Sequence, residues 1–210
     1  MSNAVNSRAS GASREAVVAL DRVLAGLGVV GYPLLMWAAN AGGDFQVPIG
    51  DFAIPLTLQT LFVILAALSL GPRLGALSMI LYIVMGAVGL PVFSEGNAGL
   101  ATVFGRTGGY LLGFVLCVPM INGFVRRPDG SLRGWWWTLV GAVAGHLTIF
   151  AVGVPWLYAV LSRDPAFADV TFGGVVENGF LIFLPGMAIK CAIGAIAGYW
   201  AAPFAHRRGW

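Results

Sequence analysis

Eleven of the twelve basic residues in this chain are arginines; the one lysine, Lys190, stands inside the apolar stretch 180–204. A cation at membrane depth is unfavourable unless a ligand or partner engages it, so an ionisable group there is a functional-site candidate by default. With Pro185 marking the first helical turn, Lys190 falls about 6 to 8 Å further along the helix at 1.5 Å per residue. Snorkelling to bulk water from that depth is strained. The competing reading is a lysine satisfied by helix carbonyls or by Glu177. A second group with chemical potential is Arg106, which with Thr107 and Tyr110 lies in the glycine series Gly105, Gly109 and Gly113 at the start of another apolar stretch. A helix N-terminus presents N–H groups and a positive dipole end, and an arginine beside it strengthens the attraction for a carboxylate or other anion.

Other chemistry is poorly provided for. A P-loop needs G-x-x-x-x-G-K-[ST], and the sole lysine lies in an apolar segment. The chain therefore has no Walker A site, and any ATP that drives its work is hydrolysed by a partner. His146 could pair with a serine as in intramembrane proteases, but the Gly-x-Ser-Gly nucleophile of six-span enzymes is missing, and an interhelical structural histidine is the favoured reading. Cys117 and Cys191 have no CxxC spacing and read as small buried hydrophobes. No His, Cys and carboxylate cluster points to a metal.

The elements that must position these groups are membrane helices. The sequence is 58% hydrophobic and only 10% charged, with a mean hydropathy of +0.84, whereas soluble domains carry roughly 25% charged residues. A helix needs about 20 apolar residues to cross the hydrocarbon. Six stretches qualify or come close: 22–39, 54–70, 74–92, 108–125, 135–161 and 180–204. The expected organisation is a polar N-terminal segment at 1–21, a six-helix membrane domain at 22–204 and a basic tail at 205–210. The first stretch, with Arg8 and Arg14 before it and Ala39-Asn40-Ala41 after it, has some features of a cleaved signal, but its apolar run is longer than a signal's core.

Arginine counts set the orientation. With both termini cytoplasmic, the inner segments hold Arg8, Arg14, Arg22, Arg73, Arg126, Arg127, Arg133, Arg207 and Arg208, and the outer loops hold only Arg106 and Arg163. The acids Asp44, Asp51, Glu95, Asp164, Asp169 and Glu177 then face outward. The net charge of +3 is distributed as a topology signal, and no nucleic-acid partner is implied. Trp135, Trp136 and Trp137 fall at the inner interface as an aromatic belt. Small-residue steps such as Gly141 with Gly145 and Gly194 with Gly198 permit close helix packing in lipid. The inner turn 71–73 is minimal, while the outer segments 40–53, 93–107 and 162–179 each exceed a dozen residues and carry apolar side chains such as Phe45, Val47, Phe93, Leu100, Phe104 and Phe172. Connections of that length are usually functional or disordered; with these apolar side chains to fold back over the bundle, they read as the lid and walls of an outward-facing pocket.

Four ordered motifs sharpen this picture: Ile54-Pro55-Leu56-Thr57-Leu58-Gln59-Thr60-Leu61, Leu70-Gly71-Pro72-Arg73-Leu74-Gly75-Ala76, Gly86-Ala87-Val88-Gly89-Leu90-Pro91-Val92-Phe93 and Thr107-Gly108-Gly109-Tyr110-Leu111-Leu112-Gly113-Phe114. Together they resemble the BioY family, the biotin-binding S components of energy-coupling factor (ECF) transporters. The resemblance implies an all-α, six-helix bundle with an outward-facing vitamin site. It also implies a transmembrane scaffold and a pair of ATPases as partners, with no cofactor in this chain. Members of the family usually carry Phe-x-Pro-Gly-Asp-x-x-Lys near the last helix; this chain reads Phe183-Leu184-Pro185-Gly186-Met187-Ala188-Ile189-Lys190. The lysine is retained and Met187 stands in place of the acid, which in the family resembles an acceptor for the ligand's ureido N–H groups. Either Asn97, Asn178 or Glu177 supplies that acceptor from a loop, or the ligand differs. Where Arg106 stands the family often has proline. The expected ligand set is Lys190, Arg106, Tyr110, Asn97, Thr107, Met187 and Asn178. Alternative readings of the chain are a solitary facilitator or secondary transporter, and more remotely an intramembrane hydrolase.

Overall fold

Glycine and proline decide where the apolar runs turn. The computed structural model describes the backbone of residues 2–41, 45–49, 52–56 and 58–206, and the side chains of residues 15–40 and 58–200. Its elements are α1 (Ser2–Ala41), an antiparallel hairpin of β1 (Phe45–Ile49) and β2 (Phe52–Leu56), α2 (Gln59–Ala87), the short α3 (Leu100–Phe104), α4 (Gly108–Val125), α5 (Trp135–Leu161), α6 (Phe172–Gly179) and α7 (Leu184–His206). Short 3-10 turns occupy Ser94–Gly96, Pro165–Phe167 and Leu181–Phe183. The expected outward acids Asp44 and Asp51, the tail residues 207–210, and the side chains of Arg8, Arg14, Phe45 and Val47 lie outside the described residues.

Among the described residues, five helical segments are long and apolar enough to cross a membrane, and the second of them is two arms. Inside α2, Gly71 takes φ 79° and ψ −173°, a left-handed conformation open to glycine, and Pro72 follows at the first turn of the second arm. In a continuous helix Gln59 and Tyr82 would be about 34 Å apart; here the Gln59 amide reaches the Tyr82 hydroxyl at 3.1 Å. The arms 59–70 and 72–87 therefore run antiparallel, and they supply the two spans read separately at 54–70 and 74–92. The second arm stops at Ala87, before the end of its apolar run. Gly89 takes φ 105° there, and Pro91 has no N–H with which to continue a helix.

The outer segments are structured. Between α1 and α2 the chain forms the β hairpin, paired Phe45↔Leu56 through Ile49↔Phe52, and β2 lies against the 181–183 turn and the start of α7. The first residues of the stretch read as the sixth span, 180–183, belong instead to that turn, and the helix begins at Leu184 with Pro185 in its first turn. Thr171 caps α6, its Oγ1 accepting from the Gly174 N–H at 3.1 Å.

The core lies between the α2 arms, α4 and α5, with Val63, Ile64, Leu68, Met79, Tyr82, Val118, Ile121 and Ile149 essentially inaccessible. Helices α4 and α5 approach closely because Gly113 faces the Ile149 backbone: a Cβ there would meet Ile149 Cα at 2.8 Å and its carbonyl oxygen at 3.0 Å. Buried side chains tie the remaining helices together. Asn122 Nδ2 donates to Ala67 O at 2.9 Å, Ser78 Oγ to Val29 O at 2.9 Å, and Thr138 Oγ1 to Ala195 O at 3.2 Å. Helix α1 packs mainly on α2 and leaves most of its apolar surface outward.

Candidate functional site

The first turn of α2, the 93–107 segment, the N-terminal halves of α4 and α7, the C-terminal half of α5 and the end of α6 enclose one cavity of about 330 Å³. That volume falls in the range of small-molecule sites. Six of the seven residues expected from sequence line it: Lys190, Arg106, Tyr110, Asn97, Thr107 and Asn178. Met187 is not among the lining residues; it is partly buried against the hydrophobic core. Glu177, offered as a replacement acceptor, is exposed and does not line the cavity either.

Polarity is graded along the cavity. At the floor lies Lys190, only 5% exposed, with Gln59, 7% exposed. Aromatic and aliphatic walls come from Phe93, Tyr110, Phe114, Ile149, Phe150 and Phe183. At the mouth stand the exposed side chains of Glu95, Asn97, Arg106, Thr107 and Asn178. Glu95 takes φ 59°, a left-handed conformation unusual for a side-chain-bearing residue.

The walls are held rigidly. The Tyr110 hydroxyl donates to Gly179 O at 2.9 Å, joining α4 to the end of α6, and its ring meets Phe150 edge-on at 6.1 Å. Phe150 in turn contacts Phe180 and Phe183, with centroids at 5.0 and 6.1 Å. Gly153 makes room for the Tyr110 ring, against which any Cβ would collide. Trp156 Nε1 donates to Gly105 O at 2.9 Å and so fixes the loop that carries Arg106.

Arg106 bridges the mouth. Its Nη2 lies 3.5 Å from Asp164 Oδ2, with both side chains substantially exposed, and its guanidinium sits 4.5 Å from the centre of the Phe167 ring. Such an exposed pair contributes little to stability, so it is easily exchanged for a ligand carboxylate. The helix N-terminus itself offers less than sequence reasoning expected. The N–H of Gly108 donates to Gly105 O, and those of Tyr110 and Leu111 to Thr107 O, because the chain enters α4 through a tight turn. Thr107 Oγ1 donates to Thr102 O at 3.3 Å. Asn97 and Asn178 use Nδ2 on Ser94 O and Gly174 O, at 2.9 and 2.8 Å, and the amide oxygen of each is an acceptor.

His146 takes no place in the cavity lining. It is 1% exposed, with Nδ1 3.1 Å from Ala142 O and 3.4 Å from Cys191 Sγ, and no serine hydroxyl is paired with it among the described residues. Sequence reasoning passed over Gln59 and Thr60, although both sit in the first motif it singled out. The available signal was two adjacent polar residues inside the apolar stretch 54–70, but only the fold shows that they line the cavity of Lys190.

The BioY family model matches residues 18–206. This chain belongs to the BioY family. A probable biotin transporter BioY of Pyrococcus horikoshii is 38% identical over 134 residues, covering 64% of this chain and 76% of that protein. The biotin transporter BioY of Thermotoga maritima is also 38% identical, over 113 residues, with 54% of this chain and 63% of that protein covered. Among solved structures, a crystal structure described as the S-component for biotin from an ECF-type ABC transporter superposes with a TM-score of 0.68 at 23% identity, covering 85% of this chain and 91% of the other. That likeness establishes the fold.

Proposed function

We propose that this chain is a membrane-embedded S component that binds biotin or a close analogue and mediates its uptake together with an energising module. Membership of the BioY family supports the transport reading. One observation carries the ligand assignment: a single cavity has a buried lysine at its floor, an aromatic wall, and an exposed arginine at its mouth. A ligand with a neutral polar head, an apolar middle and an anionic end is complementary to that gradient, and biotin has a ureido head, a thiophane ring and a valerate carboxylate. Lys190 donates to the ureido carbonyl; Tyr110 and Phe150 flank the ring; Arg106 exchanges Asp164 for the carboxylate. Asn97, Thr107 and Asn178 complete the polar rim.

The energising module comprises a transmembrane scaffold and a pair of ATPases, and ATP is used by those partners alone. The chain needs no cofactor. It resides in the cytoplasmic membrane as a multi-pass protein with both termini inside, an orientation supported by the arginine asymmetry between its loops. The activity is binding and transport rather than catalysis. Calorimetry on ligand-stripped protein in detergent, without ATP or partners, tests the reading directly: biotin binds, and the absence of binding at micromolar concentrations from folded protein overturns the substrate assignment.

A further inference from the structure

The floor of the cavity carries two polar groups besides Lys190. Tyr82 has one hydroxyl proton, and it is committed to Val92 O at 2.8 Å. The 3.1 Å contact between Tyr82 and Gln59 must therefore be an N–H of the glutamine amide donating to the phenolic oxygen. That assignment orients the amide: nitrogen toward Tyr82, and the carbonyl oxygen Oε1 away from it. Asn40, donating to both Val92 O and the Tyr82 oxygen, at 2.8 and 3.4 Å, locks the arrangement from α1. The next residue, Thr60, also lines the cavity, and its Oγ1 is buried with no hydrogen-bond partner among the described residues. Buried hydroxyls are nearly always paired, so an orphan in a ligand cavity marks a place where a ligand atom completes the bond. Met187, meanwhile, packs against the core and contributes nothing to the lining.

We propose that Gln59 and Thr60 are specificity-determining residues that accept the N–H groups of a cyclic urea, while Lys190 donates to its carbonyl. This rests on the biotin reading above and deepens it. A cyclic urea presents two donors and one acceptor; Gln59, Thr60 and Lys190 all line the cavity and can supply an amide oxygen and a hydroxyl that accept and an ammonium that donates. The acceptors come from the first turn of α2, not from α7. A head group with oxygens in place of the two N–H groups leaves the Gln59 amide oxygen, which can only accept, unpaired in a buried site and is disfavoured.

The test uses the full-length protein, stripped of ligand, with biotin and two biotin analogues, each methylated on one ureido nitrogen. Thr60→Val preserves shape and removes the hydroxyl; Thr60→Ser restores it. Thr60→Val is expected to weaken biotin by roughly fivefold to tenfold, the loss of one hydrogen bond. It should leave unchanged the affinity for the analogue methylated on the nitrogen that Thr60 serves, and Thr60→Ser should bind biotin like the parent. Gln59→Met should weaken biotin similarly and spare the other analogue, with thermal melting reporting on the fold. If the parent binds biotin and Thr60→Val binds it equally tightly, or loses affinity alike for biotin and both methylated analogues, the inference is overturned while the biotin assignment stands. If the parent itself does not bind biotin, both fall.

Discussion

Replacing Lys190 by methionine tests the centre of this account. Methionine keeps much of the lysine stem's length and apolar volume, so the packing of α7 survives, and a cation at a site only 5% exposed is removed. Lys190 also interacts with groups of the protein itself, so the ligand-free melting temperature is the baseline against which the effect on binding is read. Binding should suffer, because a hydrogen bond from a charged donor contributes about 1.5 to 3 kcal/mol, which is roughly tenfold to more than a hundredfold in Kd. The consequence can be read in thermal unfolding. At a free biotin concentration 100 times the parental Kd, binding stabilises the parent by about 2.7 kcal/mol. A variant weakened a hundredfold is then only half saturated and gains about 0.4 kcal/mol. The ligand-induced rise in melting temperature should almost vanish, and calorimetry should give the matching Kd. A variant that binds biotin as tightly as the parent would show that Lys190 is a structural cation, and the polar floor would have been misread.

Three further outcomes follow from the same geometry. Arg106→Ala should weaken biotin tenfold or more, by about 1.5 to 3 kcal/mol, and hardly affect biotinamide, which lacks an anionic end; equal losses would mean that Arg106 only shapes the loop it shares with Asp164 and Phe167. Met187→Asp should lower the melting temperature and weaken biotin, since it introduces a carboxylate where the side chain packs on the core; tighter binding would place that position at the ligand after all. Gly113→Val should destabilise the bundle by about 1 to 3 kcal/mol in reversible unfolding, because its Cβ meets the backbone of Ile149 and no side-chain motion relieves the clash; a parental melting curve would refute the close α4–α5 contact.

Much of this protein is legible in its sequence because the bilayer imposes local rules. Helix existence depends on runs of apolar residues long enough to cross the hydrocarbon, and such runs are contiguous in the chain. Turns depend on residues such as Gly71, Pro72, Gly89 and Pro185, whose backbone limits act wherever they stand. The depth of Lys190 follows from counting residues along one helix. Motif order carried the family, and Arg106 and Tyr110 drew notice as a cationic and an aromatic group beside a glycine series.

What the tertiary structure alone decided is convergence and direction. Whether Asn97, Asn178 and Lys190 share a cavity depends on how three segments far apart in the chain meet, and that is set by helix contacts such as Gly113 on Ile149 and Gly153 under Tyr110. Which way Met187 faces depends on the rotation of α7 against its neighbours, so a residue three positions before Lys190 can leave the site it was expected to join. Gln59 becomes an oriented acceptor only because the α2 hairpin brings Tyr82, 23 residues later, within hydrogen-bonding distance. Hydrophobic length is a property of one segment, but a binding site is a property of several at once, and the relative rotation of packed helices is not written in any one of them.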